Sequence, residues 1–153
     1  MITQLSGTAR EDINTVLADL ASLSKTLKAN NQKLFAFRND FYAKKRQKKA
    51  KQKELTQSHD RLKAIIANEI DPGSKKSRFS NEVKRQAEFL ERSADDLACR
   101  ELEEQIDALS LSAAEIDTGI ESVLFEQSLF KDDYLLGIQL LKVLDTQMLV
   151  ESK

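Results

Sequence analysis

The residue types that most often perform chemistry are sparse in this chain of 153 residues. His59 is the only histidine and Cys99 is the only cysteine, and neither has a second candidate ligand or nucleophile at a suitable spacing. The four glycines are isolated, so no phosphate-cradling loop is visible. The acidic residues fall in helical runs without an apolar pocket that would raise a pKa. We therefore expect no catalytic residue, metal ligand, cofactor, small-molecule substrate or enzyme activity.

A run of basic residues offers a different chemistry, the binding of an anion. Seven positive side chains occur within ten residues: Lys44, Lys45, Arg46, Lys48, Lys49, Lys51 and Lys53. Such a density is typical of surfaces that bind phosphate backbones or other anionic surfaces. The competing interpretation is an internal acidic partner, since interhelical ion pairs fix the register of paired helices. We expect the internal pairing, and nucleic-acid or anionic-surface binding is the alternative.

A seven-residue repeat, apolar at most of its positions but occupied by Lys44, Lys48 and Lys51 within the basic run, predicts the first element that carries these groups. The repeat starts after a capping-box pattern at Thr8 and Glu11 and continues from Ile13 to Ile65. The chain's only proline, Pro72, removes a backbone donor, and Gly73 permits a left-handed turn. The sequence therefore predicts a helix over residues 8–70 and a turn over residues 71–79.

A return helix is predicted after the turn, with Ser80 as its N-cap. Its first apolar stripe contains Val83, Ala87, Leu90, Ala94 and Leu97. The stripe slips by four residues near Ala98 and then continues from Leu102 to Met148, a change of register that need not break a helix. A second capping-box pattern, at Ser112 and Glu115, indicates a different break. We predict one helix over residues 80–150, with a split near 109–112 as the alternative.

Charge supports an antiparallel pairing of the two arms. Residues 1–79 contain 17 Lys or Arg and 8 Asp or Glu, whereas residues 80–153 contain 7 and 17. If the arms fold back at the turn, the numbers of facing residues add up to about 150. This count places the basic run opposite Asp95, Asp96, Glu101, Glu103, Glu104 and Asp107. Two polar residues on the predicted seam, Asn30 and Gln127, are expected to fix the pairing.

The C-terminal third is apolar on nearly every side of a helix, so a single partner helix cannot cover it. We predict that this segment binds a protein partner or a second copy of the chain. The predicted partner-binding residues are Leu124, Phe125, Leu129, Leu135, Leu136, Ile138, Leu140, Leu141, Val143, Leu144 and Met148. The alternative is a third helix that packs within the same chain if the chain breaks near 109–112.

These patterns predict an all-α protein with one helical domain over residues 1–153. We expect an elongated antiparallel helical hairpin, or coiled coil, and a three-helix bundle is the alternative. No signal peptide or membrane-length apolar run is visible, so we expect a soluble, cytoplasmic protein. The predicted function is a non-catalytic structural or adaptor subunit that assembles with itself or another protein through its C-terminal helix. The alternative function is nucleic-acid or anionic-surface binding through Lys44–Lys53.

Overall fold

The structure, a computed structural model, describes residues 8–151 and consists of three helices. They are α1 (Ala9–Asn68), α2 (Glu82–Asp95) and α3 (Leu97–Glu151). Over these residues the only β-type pairing is one isolated bridge, between Ile70 and Ser77. The predicted all-α class is confirmed.

One of the two hydrogen bonds of the capping box predicted for α1 is present, and the helix ends close to the predicted position. The backbone N–H of Thr8 donates to Oε2 of Glu11 at 3.0 Å, which satisfies one of the orphan donors at the helix start. The helix ends at Asn68, two residues before the predicted limit. The isolated bridge and Pro72 follow within four residues, so the backbone leaves the helical conformation before the proline.

The connector between α1 and α2, residues 69–81, is a tight turn organised by Asp71. Its carboxylate accepts the N–H of Gly73 at 2.9 Å and the hydroxyl of Ser74 at 3.1 Å. The residue with a left-handed backbone is Lys75, whose φ is 53°, and Gly73 has no positive φ. The expectation that Gly73 supplies the left-handed position is therefore wrong. Hydrogen bonds from Gly73 and Ser74 to Asp71 hold the turn in place without a left-handed glycine.

The return arm is two helices, and the break lies at Asp96. This residue has an extended backbone (φ −71°, ψ 110°), and its Oδ1 accepts the N–H of Cys99 at 3.1 Å, so it ends α2 and caps α3. The expected single helix over 80–150 is wrong for this reason. The alternative split near 109–112 is also wrong, because α3 passes through Leu109–Ser112 without interruption. At the start of α2 the N-cap is Asn81, which accepts the N–H of Lys84, and not Ser80.

The chain divides into two compact units, each built from parts of several helices. The first unit contains α1 up to Asn39 and α3 from Ile116 onward. Its core cluster consists of Val16, Leu20 and Leu144, with Ile13, Tyr134, Ile138, Leu140 and Leu141 packed against it. The second unit, Asp40–Glu115, contains the rest of α1, the connector, α2 and the start of α3.

Within the first unit α1 and α3 run antiparallel. Gln127 donates from its side-chain amide to Oδ1 of Asn31, and the ring of Phe37 lies against Gly119. The count of about 150 would place Asn31 opposite Gly119, so α3 is displaced by more than one turn from the expected register. Asn30 and Gln127 are both buried, as expected of seam positions, but Gln127 bonds to Asn31 and Nδ2 of Asn30 has no hydrogen-bond partner.

In the second unit α2 turns a face towards α1 that the apolar pattern did not predict. The buried residue of α2 is Phe89, whose ring meets His59 edge to face with 5.2 Å between centroids. The predicted stripe is exposed instead, with Val83, Leu90 and Leu97 more than half accessible to solvent. The expectation that this stripe faces α1 is wrong, because Phe89 has more apolar surface to bury and lies on another side of the helix.

Candidate interaction surfaces

In the first unit α3 is apolar on two sides, and one of them is covered. Val123, Gln127 and Leu144 lie on the buried side. An outer apolar stripe, formed by Phe125, Leu129, Leu136, Val143 and Val150, is exposed by between 51% and 72%. These five residues follow one another at steps of four or seven, so they share one side of α3, roughly opposite the buried side. The structure therefore leaves a largely apolar face, interrupted by Asp132, Gln139 and Thr146, without a covering element among the residues it describes.

Four of the predicted partner-binding residues lie in the core cluster or against it. Leu144 is buried in the core cluster, and Ile138, Leu140 and Leu141 pack against that cluster. The assignment of Leu144 to a partner surface is wrong because it is buried, whereas Ile138, Leu140 and Leu141 are only partly covered and their assignment stays a prediction. The other seven remain exposed: Leu124, Phe125, Leu129, Leu135, Leu136, Val143 and Met148. The prediction did not include Val150, although its seven-residue spacing from Val143 placed it on the same side.

The outer apolar stripe is bordered by acidic side chains. Glu121, Glu126 and Asp132 are exposed on the same part of α3, and Lys131 and Lys142 are its only basic residues between Ile116 and Glu151. Charges at the border of a helix interface influence orientation and partner choice more than they influence affinity. A partner with basic residues beside an apolar stripe would complement this surface.

The basic run lies on α1 in the second unit and divides into an inner and an outer set. Lys44, Lys48 and Lys51 are half-buried, whereas Lys45, Arg46, Lys49 and Lys53 are exposed. Among the described residues, the only ion pair from this run joins Lys51 to Glu54 of the same helix, at 2.9 Å.

The internal pairing expected for the run is therefore wrong for the described residues. Asp96 serves as a helix cap. The other acidic candidates, Asp95, Glu101, Glu103, Glu104 and Asp107, are all exposed on their helices. The seam positions of α3 near them are taken by Leu102 and Ile106, which are partly buried. Burying these apolar side chains turns the carboxylates towards water, where a surface pair contributes only about 0–1 kcal/mol.

A cluster of charged residues ties the connector to α2. The Glu69 carboxylate accepts hydrogen bonds from Arg92 and Arg78, each at 2.7 Å, and Arg92 also donates to Glu88. The hydrogen bond from Arg92, reinforced by the one from Arg78, holds the pKa of Glu69 below its ordinary value of 4.5. Both guanidinium groups also lie within 6 Å of the Phe79 ring centroid. Every carboxylate oxygen of Glu69 is thus engaged, which gives this cluster a structural role.

A groove of about 270 Å³ lies beside this cluster, between the end of α1 and α2. The residues that line it include Ile66, Phe89, Lys63, Glu82 and Arg85. The amino group of Lys63 lies 4.9 Å from the centroid of the Phe89 ring, so it is already engaged with the protein. The groove is half open and carries charges of both signs, which indicates no particular ligand.

His59 and Cys99 do not form a reactive pair. The His59 ring packs on Phe89, and its Nε2 is buried without a hydrogen-bond partner. Cys99 is buried, and burial, together with the nearby charge of Asp96, raises the pKa of its thiol. Between residues 8 and 151 no group of three or more His, Cys, Asp or Glu side chains is placed to hold a metal ion.

None of the helices in the described part of the chain has an apolar stretch long enough to cross a lipid bilayer. No family model, curated protein or solved structure matches this chain.

Proposed function

We propose that this protein is a non-catalytic structural or adaptor subunit that binds an amphipathic helix along the outer apolar stripe of α3. The helix belongs to a second copy of the chain or to another protein. One observation carries the proposal: α3 in the first unit has an apolar face against α1 and a second apolar face open to solvent. Apolar residues on both sides are typical of helices that are buried in a larger assembly.

The area available to a partner supports an interface formed by two apolar stripes. A fully buried Leu, Val or Phe side chain contributes about 1.5–3 kcal/mol, and the five stripe residues are roughly half exposed. Covering them therefore supplies about 4–7 kcal/mol in total, similar to the lower end of the cost of association, about 4–15 kcal/mol. A partner that buries a matching apolar stripe of its own doubles the favourable free energy from burial. Leu124 and Leu135 extend the surface on one side.

The remaining parts of the proposal rest on the arrangement of polar groups. The separate surroundings of His59 and Cys99 support a role without catalysis. A single cysteine that is buried and unpaired is typical of proteins in a reducing compartment, which supports a cytoplasmic location. The elongated hairpin expected from the heptads belongs to the same proposal. Small-angle scattering tests it, since a hairpin predicts a maximum dimension of about 90 Å.

The decisive experiment replaces two stripe residues with lysine. We expect the Leu136→Lys, Val143→Lys double variant to remain folded, because both sites are exposed and lysine is a good helix former. Its mass in sedimentation velocity should fall below that of the unchanged protein purified from its own cells. The matched control is Glu126→Gln, Asp145→Asn, which makes the same change in net charge at exposed positions of the same helix outside the stripe.

A labelling measurement identifies the covered face directly. In a Cys99→Ser background, a cysteine introduced by Val143→Cys should react slowly with a maleimide in the native assembly. The same cysteine should react rapidly after dilution or after the Leu136→Lys change. Rapid reaction of this cysteine in the native material, together with a monomeric mass, would show that nothing covers the stripe and that the proposal is wrong.

A further inference from the structure

We propose that the outer basic residues of α1, namely Lys45, Arg46, Lys49 and Lys53, form a site for the phosphate backbone of a nucleic acid, bound without sequence preference. This site lies in the second unit and does not depend on the outer apolar stripe, which belongs to the first. The two proposals can therefore fail separately.

The helix places these cations in a regular array. Lys45, Lys49 and Lys53 follow one another at four-residue steps, so they form a row about 12 Å long at a rise of 1.5 Å per residue. Arg46 stands beside the row, and all four side chains are exposed. The sequence between Tyr42 and Lys53 contains no acidic residue. Along this row a phosphate backbone would meet four positive charges, and the next acidic residue in the sequence, Glu54, pairs with Lys51.

The protein itself leaves these charges unneutralised. Among the described residues, no carboxylate lies within ion-pair distance of Lys45, Arg46, Lys49 or Lys53. The Lys45 amino group lies 4.3 Å from the ring centroid of Phe41, a contact that preserves its charge. Like charges four residues apart destabilise a helix by about 0.2–0.5 kcal/mol per pair. An external polyanion would relieve this repulsion along the whole row.

A nucleic acid fits this face better than an anionic membrane does. Helices that lie on membranes combine basic residues with a broad apolar face that enters the lipid. Residues 43–58 of α1 expose no large apolar side chain, and Tyr42 alone is exposed immediately before them. Lys44 and Lys48 are half-buried, so only the outer side of the helix, with its four cations, is available to a ligand. Lysine and arginine side chains bind phosphate oxygens, and contacts to the backbone carry no sequence information.

The number of cations sets the expected affinity and its dependence on salt. Each neutralised phosphate contributes about −0.9 to the slope of log K against log salt concentration, so four contacts give a slope of about −3.6. The affinity should then fall roughly 100-fold between 50 and 200 mM salt. Net charge does not explain such binding, because the whole chain carries −1. Binding depends on the local array.

Fluorescence anisotropy of labelled 20-base-pair duplexes tests the site with the full chain. We expect two duplexes of unrelated sequence to bind equally at 50 mM salt, with the slope given above. Lys49→Gln, Lys53→Gln should reduce the slope by about 2. The control Lys25→Gln, Lys28→Gln changes net charge equally on exposed α1 positions in the first unit and should leave the slope unchanged. Circular dichroism should show that both variants keep the helix content of the unchanged protein.

Three results would overturn the proposal. Absence of duplex binding at 50 mM salt and 100 µM protein, roughly the weak limit of non-specific affinities, would exclude the site. Equal losses in the two double variants would show that overall charge, and not this array, attracts the nucleic acid. Binding to phosphatidylserine vesicles without binding to duplexes would assign the array to a membrane surface.

Discussion

Two neighbouring residues of α3 provide a sensitive test of how this helix is oriented in the first unit. Leu144 is 4% exposed and belongs to the core cluster with Val16 and Leu20, whereas Val143 is 54% exposed. Replacing each with alanine removes apolar atoms at adjacent positions of one helix. The free energy of unfolding should respond very differently at the two positions, because only Leu144 leaves a cavity.

The structure sets the size of the two effects. Truncation of a buried leucine to alanine costs about 2–5 kcal/mol, depending on how far the site can collapse. The neighbours Ile138, Leu140 and Leu141 are only partly buried and can relax, so we expect Leu144→Ala to cost about 2–3 kcal/mol. Val143→Ala loses little buried area and gains helix propensity, so its effect should stay within about 0.5 kcal/mol.

Urea unfolding followed by far-UV circular dichroism measures both values, with the slope m as a check on the denatured state. The measurement should be made at two protein concentrations at least tenfold apart. Stability that comes from assembly depends on concentration, whereas stability that comes from the core does not. Equal costs at both positions, at every concentration, would refute the assignment of the buried and exposed sides of α3.

Three further predictions concern other parts of the molecule. Hydrogen bonds from Arg92 and Arg78 lower the pKa of Glu69, so the ionised carboxylate stabilises the folded protein fully above the ordinary value of 4.5. This contribution is lost as the pH falls through the lower pKa of the folded state. The difference in unfolding free energy between the unchanged protein and Glu69→Gln, measured by urea titration, should therefore shrink over that range. Asn30→Leu should raise the free energy of unfolding by about 1–3 kcal/mol, because the buried Nδ2 has no partner, and an unchanged or lower value would contradict this account. Gly119→Ala should raise the melting temperature through a gain of about 0.5–1 kcal/mol, since the added Cβ meets the Phe37 ring at an ordinary contact distance of 3.5 Å; a lower melting temperature would show that the ring cannot accept it.

Local signals in the sequence predicted α1 and the helical class correctly. The Thr8–Glu11 capping pair and the long apolar repeat act within one helix, so they can be recognised without knowing the fold. The geometry of the connector was harder to predict from the sequence. Its left-handed residue is Lys75, which is held there by backbone and side-chain hydrogen bonds around Asp71 and not by a preference of its own.

The face of α2 was mispredicted because its inner side is mostly polar. Phe89 lies between Arg85 and Arg92 on that side, and both arginines are only partly exposed. Counting apolar residues favours the opposite side, which carries Val83 and Leu90. Glu69 stabilises this polar side, because its carboxylate accepts a hydrogen bond from Arg92, which lies 23 residues away in the chain. A partner so distant in the chain is not visible in a periodicity.

The break between α2 and α3 had a signal in the sequence, and its meaning was misjudged. The apolar register slips by four residues near Ala98, which can be absorbed by local unwinding of a continuous helix. Aspartate favours the N-cap position, and Asp96 lies three residues before Cys99, the spacing at which its side chain accepts a backbone N–H. The Ser112 and Glu115 pattern has the same chemistry but lies inside a helix whose apolar residues stay in phase. A new helix begins where a capping residue coincides with a change of apolar register. Asp96 meets both conditions, and Ser112 meets only the first.

The same comparison explains which predicted surface residues retain a function in the proposal. On α3 the apolar residues outnumber the places that α1 can cover, and the displaced register decides which of them it covers. Leu144 and its neighbours were assigned to a partner because this part of the chain is apolar on nearly every side of a helix, which a single helix cannot cover. In the structure they pack on Val16 and Leu20, and the uncovered surface moves to the opposite side of the same helix. The excess of apolar side chains was thus visible in composition, whereas the side on which it remains exposed depends on packing between segments more than one hundred residues apart.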